Sequence, residues 1–128
     1  MATTTWTKDE LTRIAEADEL ELASRRGDGT LRDATTMWVV RDGEGLYVRS
    51  IHGRSGVWFR GTQVRHQGHI DAGGVSKDVS FGDASSDPGL NKRLDAAYRE
   101  KYRRFGADIV GTVVSKDART STIKLEPR

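Results

Sequence analysis

Twice in succession, in the middle of this chain, two short apolar runs are joined by a glycine-bearing turn, and that pattern leaves little room for anything but a β-meander. Thr35 to Arg41 is rich in β-branched and aromatic residues, and Asp42-Gly43-Glu44-Gly45 links it to Leu46 to Ile51. Gly68 to Ala72 and Val75 to Phe81 flank Gly73-Gly74, a dipeptide that tolerates positive φ. Each pair reads as an antiparallel hairpin. In the first, Met37 and Val39 alternate with Thr36, Trp38 and Val40, so both faces carry large groups. A strand of that kind suits a small barrel with a helix or a second subunit outside it.

The flanks supply helices. Thr7-Lys8-Asp9-Glu10 has capping-box spacing, with Leu11, Ile14 and Ala15 following on one face, which predicts a helix from Lys8 to about Asp18. Leu20 and Leu22 alternate with Glu19 and Glu21 as a half-buried strand, and Arg26-Gly27-Asp28-Gly29 turns the chain. Asp87-Pro88 offers an N-cap and a first-turn proline. Leu90, Leu94, Ala97, Tyr98, Tyr102 and Phe105 then form an apolar stripe that ends at Gly106. Ile109 to Val114 and Thr120 to Leu125 read as closing strands around Ser115-Lys116-Asp117-Ala118. The expectation is one α+β domain over residues 1–128. It is a barrel of six to seven mainly antiparallel strands with an N-terminal helix and a longer helix packed outside.

Composition removes several chemistries. With no cysteine, disulfides, thiolate metal sites and cysteine nucleophiles are excluded. No apolar run approaches the ~20 residues that span a bilayer, and the opening residues lack a signal peptide's pattern, so a cytoplasmic protein without a membrane partner is expected. Nucleophile-elbow, P-loop and dinucleotide fingerprints are missing. With 21 Lys+Arg against 19 Asp+Glu, the overall charge calls for no nucleic acid. The basic end of the second helix, Tyr98 to Arg104, is explained by the helix dipole and core tyrosines. Charge placement says more. From Gly45 to Ile70 there is no acid, yet the window holds Arg49, Arg54, Arg60, Arg65 and the three histidines, His52, His66 and His69. On a strand, His66 and His69 would point to opposite faces, which disfavours a zinc site.

Within that window, Val48 to Gly56 combines Arg49, Ser50, Gly53 and Arg54 at a strand end, the donor types that hold a phosphate or carboxylate. The competing reading is a hairpin exit whose arginines pair with Glu19, Glu21 or Asp28. Trp58, and equally Trp38, can stack on a flat ring or serve as core. Alternation along Val75 to Phe81 puts Lys77 on the apolar face, where it lines a polar cavity, guards an edge or snorkels to water.

Taken together, Gly29-Thr30-Leu31-Arg32, Met37 to Arg41, Leu46 to Ser50, Gly53 to Arg60, Ala72 to Val79 and Ala96 to Tyr102 resemble an uncharacterised family of short bacterial proteins over nearly the whole chain. That family is in turn distantly similar to the flavin-binding split β-barrels, which include pyridoxamine-phosphate oxidases and deazaflavin-dependent nitroreductases. The nitroreductase resemblance implies that Arg25 to Arg32 helps hold an anionic cofactor tail through Arg32, with Asp28 standing near that motif's serine. The oxidase resemblance gives Ser50 and Arg54 the phosphate. It further implies a homodimer with FMN or a deazaflavin between subunits and oxidoreductase chemistry on a small organic molecule. Arg32, Arg49, Ser50, Gly53 and Arg54 then hold the anion, Trp58 or Trp38 packs the ring, and Lys77 steadies negative charge as the catalytic residue. Two alternatives stay open: a cofactor-free module binding an acidic small molecule or protein partner, and a cofactor-free barrel enzyme.

Overall fold

The computed structural model describes residues 5–128. Its first helix, α1 (Lys8–Glu16), carries the expected capping box, in which Thr7 accepts from the Glu10 N–H and Glu10 accepts from the Thr7 N–H. The remaining elements in chain order are β1 (Leu20–Ser24), β2 (Thr35–Met37), β3 (Val40–Asp42), β4 (Gly45–Val48), α2 (Val57–Arg65), β5 (Gln67–Ala72) and β6 (Val75–Asp83). They continue with α3 (Pro88–Tyr102), α4 (Ala107–Val113), α5 (Lys116–Arg119) and β7 (Ile123–Pro127).

All seven strands join one antiparallel sheet in the order β2-β1-β5-β6-β7-β4-β3. Its two edge strands, β2 and β3, are consecutive in the chain and separated by Trp38 and Val39 alone. A link that short forces the sheet to curl until its edges meet, so the chain closes the barrel where hydrogen bonds do not. This is an α+β split barrel. Helix α3 pins the link: the Val39 N–H donates to the Tyr102 hydroxyl at 3.1 Å, that hydroxyl donates to the Asp18 carbonyl, and the Lys101 ammonium donates to the Val39 carbonyl at 2.7 Å. Burial pulls the Lys101 pKa down to about 8.

Two apolar clusters share the curled sheet. Inside it, Leu20, Leu22, Ile70, Phe81, Ile123 and Leu125 pack with Leu11 and Ile14 of α1 and Phe59 of α2. Outside it, Leu94, Tyr98 and Tyr102 of α3 and Val110 and Val113 of α4 cover Val40 and Tyr47. Every residue of β4 is therefore buried, and the two-faced run around Trp38 is explained by a helix on its outer side. Trp38 lies flat on Tyr102, with ring centroids 4.0 Å apart.

Four expectations change. Thr35 to Arg41 is two strands, because the chain leaves β1's side of the sheet at Met37 and joins β4 at Val40. The second hairpin strand stops at Val48. The segment expected as a strand from Ile109 to Val114 is helix α4: Val110 and Val113 fall three apart, and burying them against α3 outweighs their β preference. Likewise 116–119 is helical, with Ser115 accepting from the Ala118 N–H, and the last strand begins only at Ile123. Helix α2 was not anticipated. Its buried residues, Phe59, Gly61 and Thr62, give a weak helical period.

Candidate functional site

A groove opens where α2 crosses the ends of β1 and β2. It consists of two adjacent spaces, of about 710 Å³ and about 380 Å³, which share Thr35, His52 and Trp58 as walls. The larger end is net basic, with Arg26, Arg32 and Arg60 against one carboxylate, Asp33, around Ser24, Gly61 and the first residues of α2. The smaller end is apolar, with Met37, Trp38, Ile51 and Ile109 on its walls. Ile51, Val57 and Ile109 stay exposed along the rim.

Arg32 is placed by a tight turn. The Arg26 N–H donates to the Thr30 carbonyl, and the Arg32 N–H donates to the Ser24 carbonyl. Asp28 accepts from the Thr30 N–H at 3.0 Å and hydroxyl at 2.7 Å, bonds that lower its pKa and commit it to the turn. The Arg32 stem then lies across α2 at Gly61, where a Cβ would come within 3.2 Å of Arg32 Cδ and Nε and 2.7 Å of Ser24 Oγ. Only glycine leaves that space. Arg32 Nε is buried yet has no hydrogen-bond partner, a condition that costs about 1–3 kcal/mol for a buried polar group and more for a charged one. Among the described residues the Arg60 side chain is unpaired as well, and no side chain caps the N-terminus of α2. Unpaired donors of Arg32 and Arg60 thus lie at the basic end, while Arg26 Nη1 already donates to Thr30 Oγ1 and the Leu31 carbonyl.

The turn after β4 is built differently from its sequence reading. The Arg49 side chain is 0% exposed. Its Nε donates to Thr122 Oγ1, Nη1 to Asp95 and the Val113 carbonyl, and Nη2 to the Asn91 side chain and carbonyl. All five N–H groups are used within the protein, so none remains for a ligand. Burial opposes ionisation of Asp95, but Arg119 and Arg49 together hold its pKa below the usual carboxylate value. Ser50 is buried: its N–H donates to the Ser121 hydroxyl, which donates back to the Ser50 carbonyl, and the Ser50 hydroxyl accepts from the His52 N–H. Gly53 has φ 63° and lies against the Asp117 carbonyl, where a Cβ would approach to 2.8 Å. Arg54 reaches away from the groove to Asp83 and Ser85. Arg49, Ser50 and Arg54 therefore do not converge on one anion, and Arg49 pairs with Asp95, not with Glu19, Glu21 or Asp28.

Lys77 is on the inward face of β6, as alternation required, but it lies outside the groove. Its ammonium donates to Glu10 at 2.8 Å beside the Trp6 ring, anchoring α1 to the sheet. His69 bridges Asp78 and Ser76 across β5 and β6, while His66 ends α2 with φ 56°. Among the described residues no group of three or more His, Cys, Asp or Glu side chains could hold a metal, and no helix is long and apolar enough to cross a membrane. Of the anticipated residues, Arg32, Trp38, Trp58, Arg49 and Ser50 line the groove, Arg49 with every N–H already spent within the protein, whereas Gly53, Arg54 and Lys77 do not. Arg26, Arg60 and Gly61 were missed. The one available signal was Gly61, a glycine within a helix, which marks close approach of another group.

The curled antiparallel half-barrel sheet with its flanking helices places the chain among split-barrel folds. The chain belongs to a family described as uncharacterized protein conserved in bacteria (DUF2255), matched over residues 10–125. A search of the curated protein sequences finds no match. Among solved structures it is similar to HutZ, the heme storage protein from Vibrio cholerae, with TM-score 0.66, 21% identity, and coverage of 94% of this chain and 89% of that one. A putative pyridoxamine 5'-phosphate oxidase from Listeria innocua gives TM-score 0.59 and 14% identity, covering 92% of this chain and 88% of that one. An FAD-binding protein from Mesorhizobium loti gives TM-score 0.56 and 14% identity, covering 99% and 92%. These likenesses carry the fold.

Proposed function

We propose that the groove binds a phosphorylated flavin or deazaflavin and that the protein is an oxidoreductase for a small organic molecule. The observation that carries this reading is the buried, unpartnered Nε of Arg32 at the basic end of a groove whose other end is apolar and aromatic. A phosphate at that end takes charge-assisted hydrogen bonds from Arg32, Arg26 and Arg60 and lies against the uncapped N-terminus of α2. A flat ring packs along Trp58 and the free face of Trp38, whose other face is taken by Tyr102. The cofactor, when bound, supplies the electron chemistry, while these residues grip the anionic tail, orient the ring and keep water from one side of it. A second copy of the chain covering Ile51, Val57 and Ile109 completes the site as a homodimer.

The test is a titration of FMN, FAD and a deazaflavin into the purified protein, read by tryptophan quenching and the visible spectrum, with light scattering for mass. Saturable binding that weakens about ten- to a hundred-fold in Arg32→Ala supports the reading. No binding of any of the three turns it toward a cofactor-free module for acidic ligands.

A further inference from the structure

Arg49 borders the groove, while its partners Asn91 and Asp95 border a second cleft, between α3, α5 and the turn that carries Arg54. This cleft encloses about 580 Å³ and is lined by Arg54, Lys92, Lys116 and Arg119, with Ser85 and Thr120 beside them. We propose that it is a second anion site, for a phosphate group carrying two or more charges, distinct from the flavin groove and unassigned by the fold.

The charge count on the wall is the first argument. Four cationic side chains line the wall with one carboxylate, Asp95, which is already held by Arg49 at 2.6 Å and by Arg119, while a second carboxylate, Asp83, holds Arg54 from outside the lining. Among the described residues neither Lys92 nor Lys116 forms an ion pair. Like charges gathered on one concave wall repel unless an anion lies between them. Spare donors are the second argument. Arg119 uses Nε and Nη2 on Asp95, which leaves Nη1, and Arg54 uses Nη2 on Asp83 and Ser85, which leaves Nε and Nη1. Two guanidinium groups fixed by carboxylates, with donors to spare, are pre-oriented at little entropic cost, and the two lysines supply mobile charge. A dianionic phosphate matches this set better than a single carboxylate does.

The experiment titrates inorganic phosphate, ADP and uncharged adenosine into the wild-type protein by calorimetry, alongside a Lys92→Gln/Lys116→Gln double variant and a charge-matched Lys8→Gln/Arg99→Gln control, whose residues are exposed and line neither the groove nor the cleft. The expected result is binding of phosphate or ADP, but not adenosine, at Kd ~1 mM or tighter, weakened at least about tenfold in the lysine variant and unchanged in the charge-matched control. ADP binding tighter than phosphate assigns an organic phosphate; equal affinities assign the free ion. Equal binding by wild type and lysine variant, or none of the anions binding, overturns the proposal. Equal loss in the charge-matched control also overturns it, since the effect is then one of net charge alone, a result that leaves the flavin reading standing.

Discussion

Arg49 and Arg32 are both drawn into the protein beside one groove, and they are held in opposite ways. Arg49 is fully enclosed and spends every N–H on Asp95, Asn91, Thr122 and the Val113 carbonyl. Arg32 is only half-buried, yet its Nε is enclosed without a partner. Depth alone would have named Arg49 the special residue. Counting donors separates the two: a satisfied guanidinium joins elements of the fold, here β4, α3 and the β7 entry, whereas an unsatisfied one at a cavity wall has a donor left over, and the proposed function assigns that donor to a ligand.

The sharpest way to break the contrast is Arg49→Ala. It leaves the Asp95 carboxylate and the Asn91 and Thr122 groups buried beside a void, and the expected loss is about 3–5 kcal/mol in urea unfolding. Lysine recovers only part, since a point charge cannot span the same acceptors. Next in size, Arg32→Ala should leave unfolding within about 1 kcal/mol of wild type while FMN affinity falls by about 1.4–2.7 kcal/mol, measured by tryptophan quenching. Equal losses of stability in the two variants would erase the distinction. Acid titration sharpens the Arg49 side. Asp95 has a lowered folded pKa, so its stabilising contribution is complete above its unfolded value near ~3.9 and is lost as pH falls through the folded value. Urea midpoints followed from pH 6 downward should decline less steeply in Asp95→Asn, whose starting stability is lower. The smallest effect is expected from Gly61→Ala: a modest change in melting, as helix propensity offsets crowding, but severalfold weaker FMN binding because Arg32 is displaced.

Much of this architecture was written locally. The capping box at Thr7, the Asp87-Pro88 start of α3 and the Gly73-Gly74 hairpin each depend on neighbouring residues, and each appears where expected. Helix α4 did not, because Val110, Val113 and Val114 are strand formers whose conformation is decided by the cluster they join, where the neighbouring α3 is itself packed on Val40 and Tyr47 from far earlier in the chain. The site divides along the same line. Trp38, Trp58 and Arg32 could be read as ring-packing and anion-binding types. The partners that take Arg49 out of the site, Asn91, Asp95 and Thr122, lie more than forty residues further on. Nothing in the Val48 to Gly56 window announces them. The placement of Lys77 was legible from alternation, but its partner Glu10 was not, since the pair spans the sheet and α1.

The most direct test of the groove compares FMN with riboflavin, which shares the ring and lacks the phosphate, in wild type and in Arg32→Ala/Arg60→Ala. The account predicts that wild type binds FMN at least about tenfold more tightly than riboflavin, and that the double variant binds both with nearly the same affinity, close to that of wild type for riboflavin. Equal affinity of wild type for the two ligands, or an FMN preference that survives loss of both arginines, would contradict the assignment of the basic end as the anion grip.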